Sequence, residues 1–327
     1  VKKTPPQAVK HLVVLPFVNQ GSTEEEFYVD GITDELRSRL SSLQDLVVIS
    51  RYSAIQYKDT KLSTRQIRED LNNVDFLLVG TVRLYENAEE RDQLRIVPEL
   101  IRTVDDTQIW SIPYETTRGD VFKVQTEIVG QVADALGITL SERELKALEK
   151  KPTENSEAYN YFLRGNSYYY RNLGAKDHFL AIDMYEKAIE LDPTFALAYA
   201  QLGRVHTLVY WMFYDRAESR LKEAKEAIDR ALELDRDLVE AFWALGYYYG
   251  EGFMDWDQAL IYFSKANALR PHNSDILYGT GLVQRRQGKF EEALANMKKA
   301  FEINPLDYNI AVEIVGTARL LRHYEEA

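Results

Sequence analysis

Few residues in this chain have both the type and the spacing that chemistry needs. The five histidines, His11, His178, His206, His272 and His323, are scattered with no i, i+4 pair, so no helix-borne zinc pair is encoded. The absence of cysteine excludes disulfides, thiol nucleophiles and thiolate metal ligands. No phosphate-cradling glycine loop, dinucleotide fingerprint, nucleophile elbow, kinase signature or calcium loop is present. The acidic clusters Glu24-Glu25-Glu26, Glu89-Glu90 and Asp105-Asp106 read as solvated loop charge. The sharpest ligand candidate is Asp30, Gly31 and Thr33, expected at a helix entrance whose free amides could hold an anion. The same residues could equally serve as turn and cap. The expectation is a noncatalytic stretch with no cofactor and no metal.

Two differently patterned stretches must position these residues. Up to about residue 140, short β-branched runs alternate with helical periodicity. Residues 12–18 and 46–50 read as strands, with Pro16 at an edge or strand end, and 75–85, 93–104 and 107–115 as longer ones, the last two joined by a hairpin turn at Asp105-Asp106. Ile32, Leu36, Leu40 and Leu43 fall on one helical face, with Thr33 and Asp34 near the helix start. Residues 63–71 read as a second helix capped by Ser63 or Thr64. Val121, Val124, Ile128, Val132 and Leu136 line a third helix, which Gly137 stops. After a linker over 1–10, this gives an α/β (or α+β) domain with a mixed sheet over 11–140. A connecting helix and linker fill 141–157, and an all-α region fills 158–327.

At 327 residues the chain is long enough for two domains. Its net charge of −12, from 52 acidic and 40 basic residues, argues against a nucleic-acid partner, since that affinity rests on cations meeting phosphates. No run approaches the roughly 20 apolar residues of a membrane span, and the first ten residues lack a signal-peptide core. The chain starts at Val1 and stops inside an unfinished helix pair, the expectation for a piece of a longer protein. Localisation stays open between the bacterial periplasm and cytoplasm. Of the 21 tyrosines, five (Tyr28, Tyr52, Tyr57, Tyr85, Tyr114) precede residue 152 and 16 follow it.

The stretch HLVVLPFVNQGSTEEEFYVDGITDELRSRLSSLQDLVVISRYSA resembles the module related to the amino-terminal domain of TolB. The matching residues are Leu15-Pro16-Phe17, Asn19, Phe27-Tyr28, Asp30-Gly31-Ile32-Thr33, Leu36, Ser50-Arg51 and Ser53. The resemblance continues through LLVGTVRLYENAEERDQLRIVPELIRTVDDTQIWSIPYE and Asp120 to Ile128. One departure is Val97-Pro98, which puts the regularity of that strand in question. The resemblance implies a noncatalytic sensory or scaffolding module, often found after a kinase, nucleotidyl cyclase or DNA-binding domain and followed by helical repeats.

From about 155 a repeat appears in YEKAIELDPTFALAYAQLG, IDRALELDRDLVEAFWALG, FSKANALRPHNSDILYGTG and MKKAFEINPLDYNIAVEIVG. Each segment ends one helix and starts another across a turn where proline suits the break; Arg236 takes that position in the second. The pattern resembles the tetratricopeptide repeat, best in 274–305, with Gly165, Gly203, Gly246 and Gly281 as helix A markers. Intra-pair turns are lengthened near 171–176 and 209–217, and one extra residue falls near 250–255. A fifth unit from Asp307 reaches only Tyr324 and Ala327.

The resemblance implies an inner, concave face made by helix A side chains. Carried onto this sequence, its partner-binding candidates are Tyr159, Phe162, Tyr169, Tyr170, Arg204, Trp243, Tyr247, Tyr278, Arg285 and Arg286. Aromatics interspersed with arginine suit protein-binding hot spots, although the same tyrosines could pack between helices. Asp275 beside Arg285 and Arg286 could equally be a surface ion pair. The expected function is a noncatalytic interaction and regulatory region of a bacterial signalling protein that binds a protein or peptide. A homo-oligomer through the truncated last repeat is a further possibility. The alternative is a small-molecule or anion sensor acting through the α/β module on an upstream kinase or cyclase.

Overall fold

The run Leu12-Val13-Val14 is buried throughout, as a central parallel strand requires. In the computed structural model, which describes residues 9–85, 93–171 and 173–321, it lies in β1 (Lys10–Val14). Glu89-Glu90, His323, Tyr324 and Ala327 fall outside the described residues. The chain divides into two compact units: one takes the residues up to Ser22, Ile32–Glu149 and Glu302–Asp307, the other Thr23–Gly31, Lys150–Phe301 and the residues from Tyr308 on. The fold class is an N-terminal α/β domain with a mixed sheet, followed by an all-α array of paired helices.

In the first unit β1 pairs in parallel with β3 (Leu46–Val48) and with β4 (Phe76–Leu84). β2 (Val18–Asn19) also runs parallel to β4, further along that strand. β4 then pairs antiparallel with β5 (Gln93–Arg102), which carries β6 (Thr107–Ser111) and β7 (Tyr114–Thr117) on its other side. The turn into β6 contains Asp106 in the left-handed region, at φ 57°. Pro98 does not interrupt β5: it sits opposite Gly80, and the β4 register runs unbroken from Phe76↔Arg102 to Leu84↔Leu94.

The helices of this unit are α1 (Glu26–Leu40) from Ile32 on, α2 (Arg51–Ile55), α3 (Thr64–Asp70), α4 (Val121–Ala135) and α5 (Glu142–Glu149). Ser63 caps α3 with a full capping box through Gln66. Val13, Leu15, Ile49, Ile67, Leu71 and Leu77 form one core cluster. The segment Glu302–Asp307 belongs to the same unit: Ser53 Oγ donates to Asn304 Oδ1 at 2.7 Å and accepts from the Leu306 amide at 3.1 Å.

One expectation is corrected here. Thr33 and Asp34 do not sit near a helix start, because α1 begins at Glu26, preceded by a 3-10 turn at Thr23–Glu25. The amides of Asp30, Gly31 and Thr33 are therefore inside the helix. Thr33 is buried and its Oγ1 accepts from the Phe17 amide at 3.1 Å. Asp34 pairs with Arg37, and with Arg51 Nε at 2.7 Å.

The second unit is an array of paired helices: α6 (Ser156–Arg171) with α7 (Ala175–Leu191), and α8 (Ala196–Trp211) with α9 (Glu218–Leu234). Next come α10 (Val239–Tyr247) with α11 (Trp256–Leu269), α12 (Ser274–Arg286) with α13 (Phe290–Ile303), and α14 (Tyr308–Leu320). One glycine per first helix lets its partner approach. A Cβ at Gly165, Gly203, Gly246 or Gly281 would lie 2.5–2.9 Å from Tyr185, Ile228, Phe263 or Met297. The three lengthened turns end in exposed apolar side chains, Leu173, Phe213 and Met254, and the last two hold φ values of 61° and 56°.

Candidate functional site

Tyr169 is placed by α6, whose start is held by Asn155: its Oδ1 accepts the amides of Glu157 and Ala158, each at 3.0 Å. Arg204 lies on α8, Trp243 and Tyr247 on α10. α10 packs against both α8 and α12, so first helices of successive pairs are neighbours. After Tyr247 the backbone widens into a π-helical turn, Tyr248–Gly252, which carries Glu251. Asp255 then caps α11, accepting the Gln258 amide at 3.1 Å.

These elements bring four of the expected residues together around Arg204. Its guanidinium lies 3.4 Å from the Trp243 ring centroid and 4.6 Å from that of Tyr169. Tyr247 meets Trp243 edge-on at 5.8 Å and Phe263 at 5.2 Å; Tyr170 meets Tyr169 at 5.1 Å. Arg204 keeps some exposed surface, but its Nη1 is fully buried and has no hydrogen-bond partner, and neither has the buried Nε1 of Trp243. Among the described residues the guanidinium has no salt bridge. Two buried donors without acceptors are costly, and here they lie on side chains in direct contact.

Electrostatics sharpen the picture. Burial pushes Glu251 from 4.5 up to about 8, with Arg204 opposing the shift. Burial disfavours the Arg204 charge, but Tyr169, Tyr170, Asp275 and Tyr247 outweigh it, and its pKa is raised. Burial also raises Tyr169, and raises Tyr247 well above 10.0. At neutral pH the site therefore offers a cation and an indole N–H between aromatic walls, beside a largely protonated carboxyl. Such a set accepts a carbonyl or carboxylate oxygen.

The remaining expected residues sit elsewhere. Tyr159 and Phe162, 1% and 2% exposed, are core rather than surface: Phe162 packs on Tyr185 and Phe195 at 5.8 and 5.0 Å. Tyr278 is half-buried on α12. Arg285 pairs with Glu313 on α14, while Arg286 is exposed. Asp30, Gly31 and Thr33 lose the free amides that made them an anion candidate. A Cβ on Gly31 would lie 2.7 Å from Leu163, so this glycine serves close packing. Glu251 escaped the sequence reading, although its signal was there: the one extra residue near 250–255 falls at the π-helical turn. Among the described residues no group of acidic or histidine side chains could hold a metal, and no helix is long and apolar enough to cross a membrane.

Similarities to known proteins can be set beside this geometry. Residues 274–305 match the family described as Tetratricopeptide repeat. Over 202 residues, 61% of this chain, the sequence is 30% identical to a protein of Rhizobium meliloti (strain 1021) named "Putative adenylate cyclase 3", 33% of which is covered. Over 129 residues, 39% of the chain, it is 26% identical to Anaphase-promoting complex subunit 3 of Schizosaccharomyces pombe (strain 972), covering 18% of it. The chain thus spans about a third or less of the length of these relatives. Among solved structures, a thermophilic TPR protein of Thermus thermophilus aligns with TM-score 0.43 and 20% identity, over 62% of this chain and 97% of that one.

Proposed function

We propose that this chain is a noncatalytic interaction and regulatory region of a bacterial signalling protein. Its helix-pair array captures an extended peptide or partner segment along the first helices of its pairs. In this reading residues 11–140 form a TolB amino-terminal-like module, 141–157 connect, and 158–327 bind. The cyclase name of the Rhizobium relative supports the signalling context. The observation that carries the proposal is Arg204, held between Tyr169 and Trp243 with Nη1 and the Trp243 Nε1 buried and unbonded.

A partner's oxygen acceptor would meet the part of Arg204 that stays exposed, a side-chain shift would turn the buried donors toward it, and the rings would give it a large rigid apolar wall. The test is a peptide-array screen with the purified chain, followed by titration of the hits under tryptophan fluorescence. Saturable binding that falls in Arg204→Met and Trp243→Phe, with helical circular dichroism intact, supports the proposal. Hits that bind both variants as tightly as the parent would sink it.

A further inference from the structure

The sheet of the first unit carries a second unusual set of cations. Along β4 and β5 side chains alternate between faces. On one face Val82, Leu84, Leu94 and Ile96 are buried. On the other, the register sets Thr81 opposite Val97 and Arg83 directly opposite Arg95. Tyr85 extends the same row, its amide donating to the Gln93 carbonyl at 3.1 Å. Two like charges facing each other across an antiparallel pair repel, and this is the reverse of the pairing that stabilises a sheet.

Their surroundings neutralise them only in part. Arg95 Nε lies 3.5 Å from Glu115 Oε1, an exposed pair worth about 0–1 kcal/mol. Arg83 has no ion-pair partner among the described residues and leans over the Tyr85 ring at 5.8 Å. The two arginines line a cavity of about 220 Å³ with Gln20, Thr81, Tyr85 and Val97. The lining thus holds two guanidinium groups, an amide and two hydroxyls, with no carboxylate among them. The Gln20 backbone N–H donates to the Val82 carbonyl at 2.8 Å, and the adjoining turn is closed by Asn19, whose Oδ1 accepts the Gly21 backbone N–H at 2.8 Å. Glu115 lies directly opposite Arg95 on its other side, so the row Arg83, Arg95 and Glu115 keeps one net positive charge in a chain of net charge −12.

We propose that this cavity binds the phosphate group of a small phosphomonoester, with Arg83 and Arg95 as its two cationic partners. Guanidinium groups grip phosphate oxygens through paired N–H donors, and a doubly charged group meets two facing cations better than a single carboxylate does. The volume suits a phosphate with a short organic stem, which the Tyr85 ring and Val97 would cover.

The test is isothermal titration of the full chain with inorganic phosphate and with glycerol phosphate at constant ionic strength. The variants are Arg83→Gln, Arg95→Gln and, as a control cation in the same unit, Arg65→Gln. The inference expects saturable binding of both probes, tighter for the ester, weakened at least roughly tenfold by either pocket substitution and unchanged by Arg65→Gln. Without ligand, Arg83→Gln should fold as stably as the parent or better, because the repulsion is gone; thermal melts check this. Equal weakening in Arg65→Gln, no saturable binding of either probe, or full binding retained in both pocket variants overturns it. Binding of inorganic phosphate without preference for the ester would overturn the phosphomonoester assignment.

Discussion

Arg204→Met separates a binding group from a structural staple. The substitution removes two ring contacts, at 3.4 and 4.6 Å. At about 2 kcal/mol for a desolvated contact and less for the longer one, their loss costs about 3 kcal/mol. Against that, the buried Nη1 donor lacks a partner, a penalty of about 1–3 kcal/mol that the variant escapes. Met also regains about 0.3–1.5 kcal/mol of sulfur–aromatic contact. The terms nearly cancel, so urea unfolding of Arg204→Met should lie within about 1 kcal/mol of the parent. Binding should respond differently, because a charge-assisted hydrogen bond worth about 1.5–3 kcal/mol is lost, roughly a ten- to hundredfold weakening. Arg204→Lys, which keeps the charge but loses the planar fork, should also bind more weakly while folding normally. A loss of stability above about 3 kcal/mol in Arg204→Met would refute the reasoning, since the guanidinium would then be holding the helices together.

Other outcomes follow from the same structure. Between pH 4.5 and about 8 the folded chain holds a proton on Glu251 that the unfolded chain has released, so this residue's contribution to stability falls as pH rises through that window. Arg204, Tyr169 and Tyr247 are the groups coupled to it, and urea midpoints across pH 5–9 should flatten in Glu251→Gln. His206 acts in the opposite sense: burial and then Arg220 lower it from 6.5 to about 4, so its stabilising contribution is present above 6.5 and lost as pH falls through about 4, a limb that His206→Gln should remove. Gly246→Ala places a Cβ 2.5 Å from the Phe263 ring and should cost about 1–3 kcal/mol in denaturant melts. Gly130→Ala in α4 meets nothing within 4 Å and should instead stabilise by up to about 1 kcal/mol. Met254→Gly, at an exposed position with φ 56°, should raise the melting temperature by relieving about 1 kcal/mol of left-handed strain.

Periodicity makes most of the elements legible because burial enforces it. The helix lined by Val121, Ile128 and Val132 is α4, and the capping signal at Ser63 marks the start of α3. The start of α1 is easily misread because EEEF looks like a polar loop, whereas the acids there suit a helix N-terminus and Tyr28 and Val29 are buried. Pro98 misleads for a different reason. Proline usually disturbs a ladder, yet here it faces Gly80, whose missing side chain leaves room for the Phe17 ring. At the candidate site the residue types are legible but their depth is not. Tyr159 and Tyr169 occupy similar sequence contexts on α6, but Tyr159 is fully covered and Tyr169 borders Arg204. Helical spacing assigns a face and leaves open how much of that face the next helix covers.

The two groups of cations share a logic that the net charge alone conceals. A chain with 52 acidic residues has ample means of pairing its arginines, and it does so widely: Arg37 and Arg51 with Asp34, Arg39 with Glu35, Arg270 with Glu240, Arg285 with Glu313. Arg204 and Arg83 stand outside this pattern, as do Arg164 and Arg216, each over an aromatic ring. An aromatic face keeps a guanidinium positioned without pairing its N–H edge. An acidic partner in the same place would stabilise the charge and silence it. Rings rather than carboxylates beside Arg204 and Arg83 leave each without an ion-pair partner among the described residues, the condition on which both proposals rest.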